Sequence, residues 1–108
     1  MERIGLTFNP SRSGSDTGEE DLITVAKMAD RLGYDTFFTG ESWGRDALTI
    51  LTAVACHTTN LRVGTGILPV FSRTPALIAQ SIASLDLISK GRATLGLGTS
   101  GKIVIEDW

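Results

Sequence analysis

"VGTGILPVFSRTP" (63–75) is the stretch on which the reading of this chain turns. It opens like a buried strand, yet Gly64, Gly66, Pro69 and Pro75 interrupt it within a dozen residues. A strand that only had to pack would hold Val, Ile and Leu throughout. Proline removes a ladder donor, and glycine near a strand's end marks a bulge, a turn or the close approach of a ligand or another backbone. Thr74-Pro75 then has the form of a helix start, a hydroxyl N-cap followed by proline at the first helical position. The stretch is a strand–loop–helix junction with bare backbone between the two elements.

On both sides of it the same alternation recurs. "RIGLTFN" (3–9) is a short apolar run closed by Asn9-Pro10, and the polar loop "PSRSGSDTG" follows. "TGEE" offers a capping box, with Thr17 as N-cap and Glu20 three residues on. Glu19, Glu20 and Asp21 crowd a first helical turn, where the helix dipole favours anions. Leu22, Ala26, Ala29 and Gly33 then share one helical face with Val25 and Leu32, and Gly33 is a natural stop. "DTFFTGE" (35–41) has the composition of a second strand. Residues 45–60 follow as a helix, with Asp46 near its start and Ala47, Ile50, Leu51 and Val54 as the inward stripe. "LRVGTGIL" (61–68) is the third strand. The helix opened by Thr74 runs to about Lys90 and turns Ala79, Ile82, Ala83 and Leu87 inward; Gly91 closes it. "RATLGLGTS" (92–100) is the fourth strand.

The order β-α-β-α-β-α-β argues for parallel pairing through helical crossovers. Strand starts lie roughly 25 to 32 residues apart, the size of a βα unit. At 108 residues the chain forms one domain, and no linker or low-complexity segment divides residues 1–108.

In a parallel α/β protein the strands' C-terminal ends carry the site. Here those ends are "FNP" (8–10), "TGESW" (39–43), "GTGILP" (64–69) and "GLGTSG" (96–101), each glycine-containing or polar where the preceding residues were apolar. Any one of these glycines serves a turn or bulge as well as it serves a ligand; their concentration on one rim favours the ligand. Glu41 is placed to act as an acid or base or to anchor a ligand's hydrogen-bonding edge, or to stand as a solvated loop carboxylate. His57, the only histidine, falls near a helix end, where a dipole partner or surface residue is expected. Cys56 and His57 are adjacent and no metal-ligand spacing follows, so no metal is expected. "GLGTSG" has the G-x-G-x-x-G form but opens no apparent helix, so a dinucleotide fingerprint fits poorly, and no Walker loop exists. Arg12 belongs to a polar loop that either touches phosphate or lies free on the surface.

Apolar residues make up 42% and charged residues 20% of the chain, which excludes a disordered protein. A net charge of −2 without a basic patch argues against nucleic acid and anionic membrane as partners. The single cysteine precludes an internal disulfide and fits a reducing compartment. With no apolar run of membrane-spanning length and no signal-peptide shape at "MERIGLTFNP", a cytoplasmic protein is expected.

The segment "LRVGTGILPVFSRTPALIAQSIASLDLISKGRATLGLGTSG" resembles the bacterial-luciferase-like superfamily, and within it the branch that uses the 5-deazaflavin coenzyme F-420. The motif RVGTGIL-(x)5-TP-(x)3-AQ followed by GRATLGLGTSG carries the resemblance, and residues 29–60 fit the same pattern. It implies the first half of a (β/α)8 TIM-type barrel, an α/β fold with the cofactor over the strand C-termini. It also implies a non-prolyl cis peptide backing the cofactor ring, which here would join Gly66 to Ile67. Relatives commonly end the second strand in an acid followed by histidine. The matching pair is Glu41-Ser42, so the imidazole is missing, and these two residues are left to contact the ring's polar edge or the substrate. Thr99 and Ser100 would sit beside the cofactor, while the acidic and amide residues that some relatives carry just beyond are here Lys102, Ile103 and Val104.

The activity implied is hydride transfer between the deazaflavin and a small organic substrate. The alternatives are an FMN-dependent monooxygenase acting on paired donors with incorporation of molecular oxygen, and a catalytically silent half-barrel that self-associates. A complete barrel takes about 200 residues or more. The expectation is a fragment of a longer protein or a homo-oligomer that pairs the open edges of the first and fourth strands.

Overall fold

The structure, a computed structural model, describes residues 2–9 and 19–107. Its elements run β1 (Gly5–Thr7), α1 (Glu19–Leu32), β2 (Thr36–Thr39), α2 (Ala47–His57), β3 (Arg62–Thr65), β4 (Leu68–Pro69), α3 (Pro75–Ile88), β5 (Ala93–Thr94), β6 (Leu97–Gly98) and α4 (Lys102–Asp107). The expected Thr17 cap and the Arg12 loop lie outside the described residues.

One four-stranded sheet runs β1-β2-β3-β5 with every pairing parallel. This is the βαβαβαβ unit of the sequence analysis, with β1 and β5 at its edges. The expected third and fourth strands are each broken in two. β3 ends at Thr65, the Gly66–Ile67 peptide is cis, and the chain resumes as β4. β5 and β6 are separated by Leu95 and Gly96, and β4 pairs with β6 in a second parallel ladder. The break is held from across the strands. The Thr65 hydroxyl donates to the Gly96 carbonyl at 2.8 Å and accepts from the Gly96 amide at 2.9 Å. A Cβ at Gly96 would overlap the Thr65 carbonyl oxygen, so only glycine permits this approach.

Register assigns the two faces. Leu6, Phe37, Val63 and Ala93 point to the helices, whereas Gly5, Phe38, Gly64 and Thr94 line the opposite face. The core lies on the helix side, where Phe37, Leu51, Val54, Leu61, Val63 and Leu68 are fully enclosed. Each such side chain contributes about 1.5–3 kcal/mol by leaving water. On the other face the Phe38 ring covers the backbone at Gly5 and Gly64.

The helices follow their local signals at the start and diverge from the expected faces later. Asp46 caps α2, its carboxylate accepting from the Thr49 amide at 2.9 Å, and Thr74 caps α3 ahead of Pro75. Leu22, Ala26 and Ala29 are buried as expected. Leu32 is not, with 64% of its surface exposed, because α1 ends there and Gly33 turns the chain away at φ +83°.

In α3 only Ile82 of the expected stripe turns inward. Ile78 and Leu85 are buried and Ile82 half-buried, while Ala79, Ala83 and Leu87 face outward, Leu87 at 81% exposure. The helix is apolar nearly all round, so periodicity alone selects no face; packing against α2 and β5 does. The six-residue α4 after "GLGTSG" also departs from expectation, since that glycine run does open a helix.

At the end of the sheet opposite the strand C-termini, two side chains secure the turn from α2 into β3. Asp30 accepts from the amides of Thr59, Asn60 and Leu61 at 2.7, 3.0 and 2.7 Å. Burial works to raise its carboxyl, but those three amides and nearby Arg92 outweigh it and hold the group below the ordinary 3.8. Arg92 donates to the carbonyls of Ala55, Thr58, Leu61 and Ser89, and so closes the C-terminal end of α2.

Candidate functional site

Three loops meet at the C-terminal ends of the strands, and their backbones interlock. Asn9, just past β1, accepts the Gly40 amide on its side-chain oxygen at 2.7 Å. Gly66 donates to the Thr39 carbonyl at 2.9 Å, and Glu41 donates to the Ile67 carbonyl at 3.2 Å. A Cβ on Gly40 would stand 2.7 Å from the Gly66 carbonyl oxygen, so the end of β2 is bare because the Gly66 backbone occupies the space. The glycines of "TGESW" and "GTGIL" therefore serve each other's approach.

Above this floor lies a cleft of about 280 Å³, lined by Asn9, Thr39, Gly40, Glu41, Ser42, Gly44, Arg45, Ile50, Gly66, Ile67 and Ser100. Of the residues singled out from the sequence, Glu41, Ser42, Gly66, Ile67 and Ser100 are brought together here. Thr99 is exposed and is not among the lining residues; its hydroxyl lies 3.5 Å from the Ser100 carbonyl. Ligand pockets run roughly 300–1,000 Å³, so the cleft has room for a ring system and its polar edge but not for a nucleotide-sized cofactor entire. Gly40 and Gly66 bring no side chain to the wall, and Asn9, Ser42 and Ser100 supply neutral polar groups beside the charged Glu41 and Arg45. That donor set suits a planar heterocycle. Among the described residues, no group of three or more His, Cys, Asp or Glu is placed to hold a metal.

Sequence reasoning assigned no role to Arg73, which the structure puts at the centre of the charge arrangement. Its guanidinium grips Glu41 with both arms, at 2.7 and 3.0 Å, and reaches Asp46 at 3.0 Å. The Arg73 and Glu41 side chains are only 12% and 7% exposed. The second Glu41 oxygen also accepts the Ala47 amide at the start of α2, at 2.9 Å. Hydrogen bonding to Glu41 raises Arg73 above its ordinary value against the effect of burial, with Asp46 adding to the rise. Burial pushes Asp46 up, but the Thr49 amide and Arg73 prevail and lower it. No sequence spacing announces this pair, because 32 residues separate its members. The only available signal was a cation and an acid on neighbouring strand-end loops. His57, by contrast, sits exposed at the last turn of α2 with Nδ1 2.8 Å from the Ala53 carbonyl, away from the cleft.

A sequence profile described as luciferase-like monooxygenase matches residues 1–108. The chain belongs to this family. It is 44% identical over 106 residues to a Mycobacterium tuberculosis protein described as a candidate coenzyme F420-dependent oxidoreductase, covering 98% of this chain and 30% of that protein. It is 40% identical over 78 residues to the 5,10-methylenetetrahydromethanopterin reductase of Methanolobus tindarius, covering 71% of this chain and 24% of the reductase. Among solved structures, the coenzyme F420-dependent tetrahydromethanopterin reductase of Methanopyrus kandleri superposes with a TM-score of 0.85 at 26% identity, over 97% of this chain and 29% of that one. The oxygenating constituent of 3,6-diketocamphane monooxygenase from Pseudomonas putida, solved with FMN, superposes with a TM-score of 0.82, also at 26% identity, over 92% and 30%. The chain thus spans about 30% of the length of the curated relative it matches at 44% identity. Its α/β fold of parallel strands is the opening part of the luciferase-like barrel. No described helix is long and apolar enough to cross a membrane.

Proposed function

We propose that the chain supplies the ring-binding part of an oxidoreductase that moves a hydride between the deazaflavin of coenzyme F420 and a small organic substrate. The observation that carries this reading is the cleft at the strand C-termini, where Glu41, Ser42, Gly66, Ile67 and Ser100 converge on one wall. Relatives named for F420 dependence favour the deazaflavin over FMN.

When bound, the deazaflavin would supply the hydride chemistry. The chain's own residues orient and enclose it. Gly40, Gly66 and Ile67 form the wall against which a ring rests. Asn9, Ser42 and Ser100 offer neutral donors and acceptors to its polar edge. Ser42 stands exposed at the rim, where a hydroxyl can order a substrate group. FMN is the second reading, favoured by the superposition on an FMN-bound monooxygenase; that reading would require oxygen to enter above the same wall.

The test is a fluorescence titration of the 108-residue chain with oxidised coenzyme F420 and with FMN in parallel. Saturable F420 binding at about 1–100 µM, with FMN at least about tenfold weaker, is the expected result. Tighter binding of FMN would transfer the assignment to the monooxygenase reading. Binding of neither would remove cofactor binding from these four strands.

A further inference from the structure

The carboxylate of Glu41 looks at first like the site's acid or base, but its hydrogen bonds point elsewhere. Arg73 takes one oxygen, and Arg73 together with the Ala47 amide takes the other. Arg73 is itself fixed from behind. Its NH1 donates to the Ser72 hydroxyl at 3.0 Å, and that hydroxyl donates to the Pro69 carbonyl at 2.9 Å. Its other arm reaches Asp46, whose second oxygen caps α2 through Thr49. One guanidinium thus ties the turn after β4 to the whole loop from Glu41 to the start of α2. That loop carries Ser42, Gly44 and Arg45, which line the cleft.

We infer that Arg73 and Glu41 act together as positioning residues, setting the wall that a cofactor meets, and that Glu41 does not transfer a proton. The inference rests on the proposed function for its effect on cofactor affinity, though not for its effect on the loop. A planar fork with two parallel bonds explains why arginine stands here, since lysine offers one point charge and cannot grip both oxygens and Asp46 at once. A buried carboxylate engaged in this way is fixed in place, which suits a wall and hinders a group that must exchange protons with a ligand.

The experiment pairs two readouts on wild type, Arg73→Met, Arg73→Lys and Glu41→Gln. The first is amide hydrogen exchange without cofactor. Arg73→Met should speed exchange at Ala47 by at least about tenfold, the loss of one charge-assisted bond's worth of protection. Leu51 and Val54, in the interior of α2, should keep their wild-type rates. The second readout is the dissociation constant for coenzyme F420 by fluorescence. It should rise at least about tenfold in Arg73→Met and Glu41→Gln, with partial recovery in Arg73→Lys. Unchanged Ala47 exchange in Arg73→Met overturns the clamp, as does wild-type affinity in that variant beside lost affinity in Glu41→Gln, which would assign the carboxylate to the ligand itself. Should Arg73→Met fail to fold, Arg73→Lys and Glu41→Gln decide the same question. If wild type binds no F420, the proposed function falls while the exchange comparison still tests the clamp.

Discussion

Replacing Gly40 by alanine should destabilise the chain and disturb the cleft together, because one contact serves both. The new Cβ would stand 2.7 Å from the Gly66 carbonyl oxygen, several tenths of an ångström inside any ordinary approach. Neither side retreats freely. Gly40 is held by Asn9 at 2.7 Å, while Gly66 is held by Thr39 at 2.9 Å. Overpacking of this kind costs about 1–3 kcal/mol. Against it stands the reduced entropy of the unfolded chain, which favours alanine by about 0.4–1 kcal/mol. Crowding wins, leaving a net loss of about 1–2 kcal/mol. For a domain of this size that lowers Tm by about 5–15 °C, read by circular dichroism. The control is Gly101→Ala, where a Cβ meets nothing within 4 Å, so crowding adds nothing and Tm should fall far less than in Gly40→Ala. A Gly40→Ala chain as stable as wild type would refute the view that the ends of β2 and β3 are bare because they pack on each other.

The far end of the sheet gives two further expectations. Arg92→Met should cost about 2–3 kcal/mol by chemical denaturation, since several carbonyls around the end of α2 lose a charged donor and water replaces it only in part. Arg62→Met, exposed and bonded once to Thr94, should change stability by less than about 0.5 kcal/mol, and equal losses in the two variants would contradict the role given to Arg92. For pH, Asp30 and Asp46 titrate below their ordinary 3.8 in the folded chain, so the unfolded chain takes up protons first as pH falls. Their contribution is full above that value and is lost as pH drops through the depressed folded values. Asp30→Asn should therefore be less stable than wild type at neutral pH and converge towards it in acid. A constant gap from pH 7 to pH 2 would count against the three amide bonds as the cause.

What could be read from the sequence was what local chemistry dictates. Asp46 and Thr74-Pro75 fixed helix starts because a cap acts within three residues. Leu22, Ala26 and Ala29 disclosed their face because polar residues surround them in α1. In α3 the same reasoning placed only Ile82, since apolar residues all round the helix leave the choice of face to the neighbouring elements. The breaks in the third and fourth strands were also hidden. They depend on Thr65 reaching Gly96 across the ladder, which no period of two or 3.6 encodes. The cis bond at Gly66–Ile67 was expected from family resemblance and is present. The cleft followed from the rule that parallel strands place their sites at their C-terminal ends, with glycines marking the rim. Arg73 was missed because its significance lies in Glu41 and Asp46, which are distant in sequence and only the fold brings within reach.

The most direct test that the cleft at the strand C-termini holds the cofactor is a two-dimensional amide NMR titration of the isotope-labelled chain with coenzyme F420. Shifts should concentrate at Gly40, Ser42, Gly44, Ile67 and Ser100, with Asp30, Thr59, Asn60 and Gly91 at the opposite end unmoved. Shifts centred on the opposite end would contradict this placement of the site.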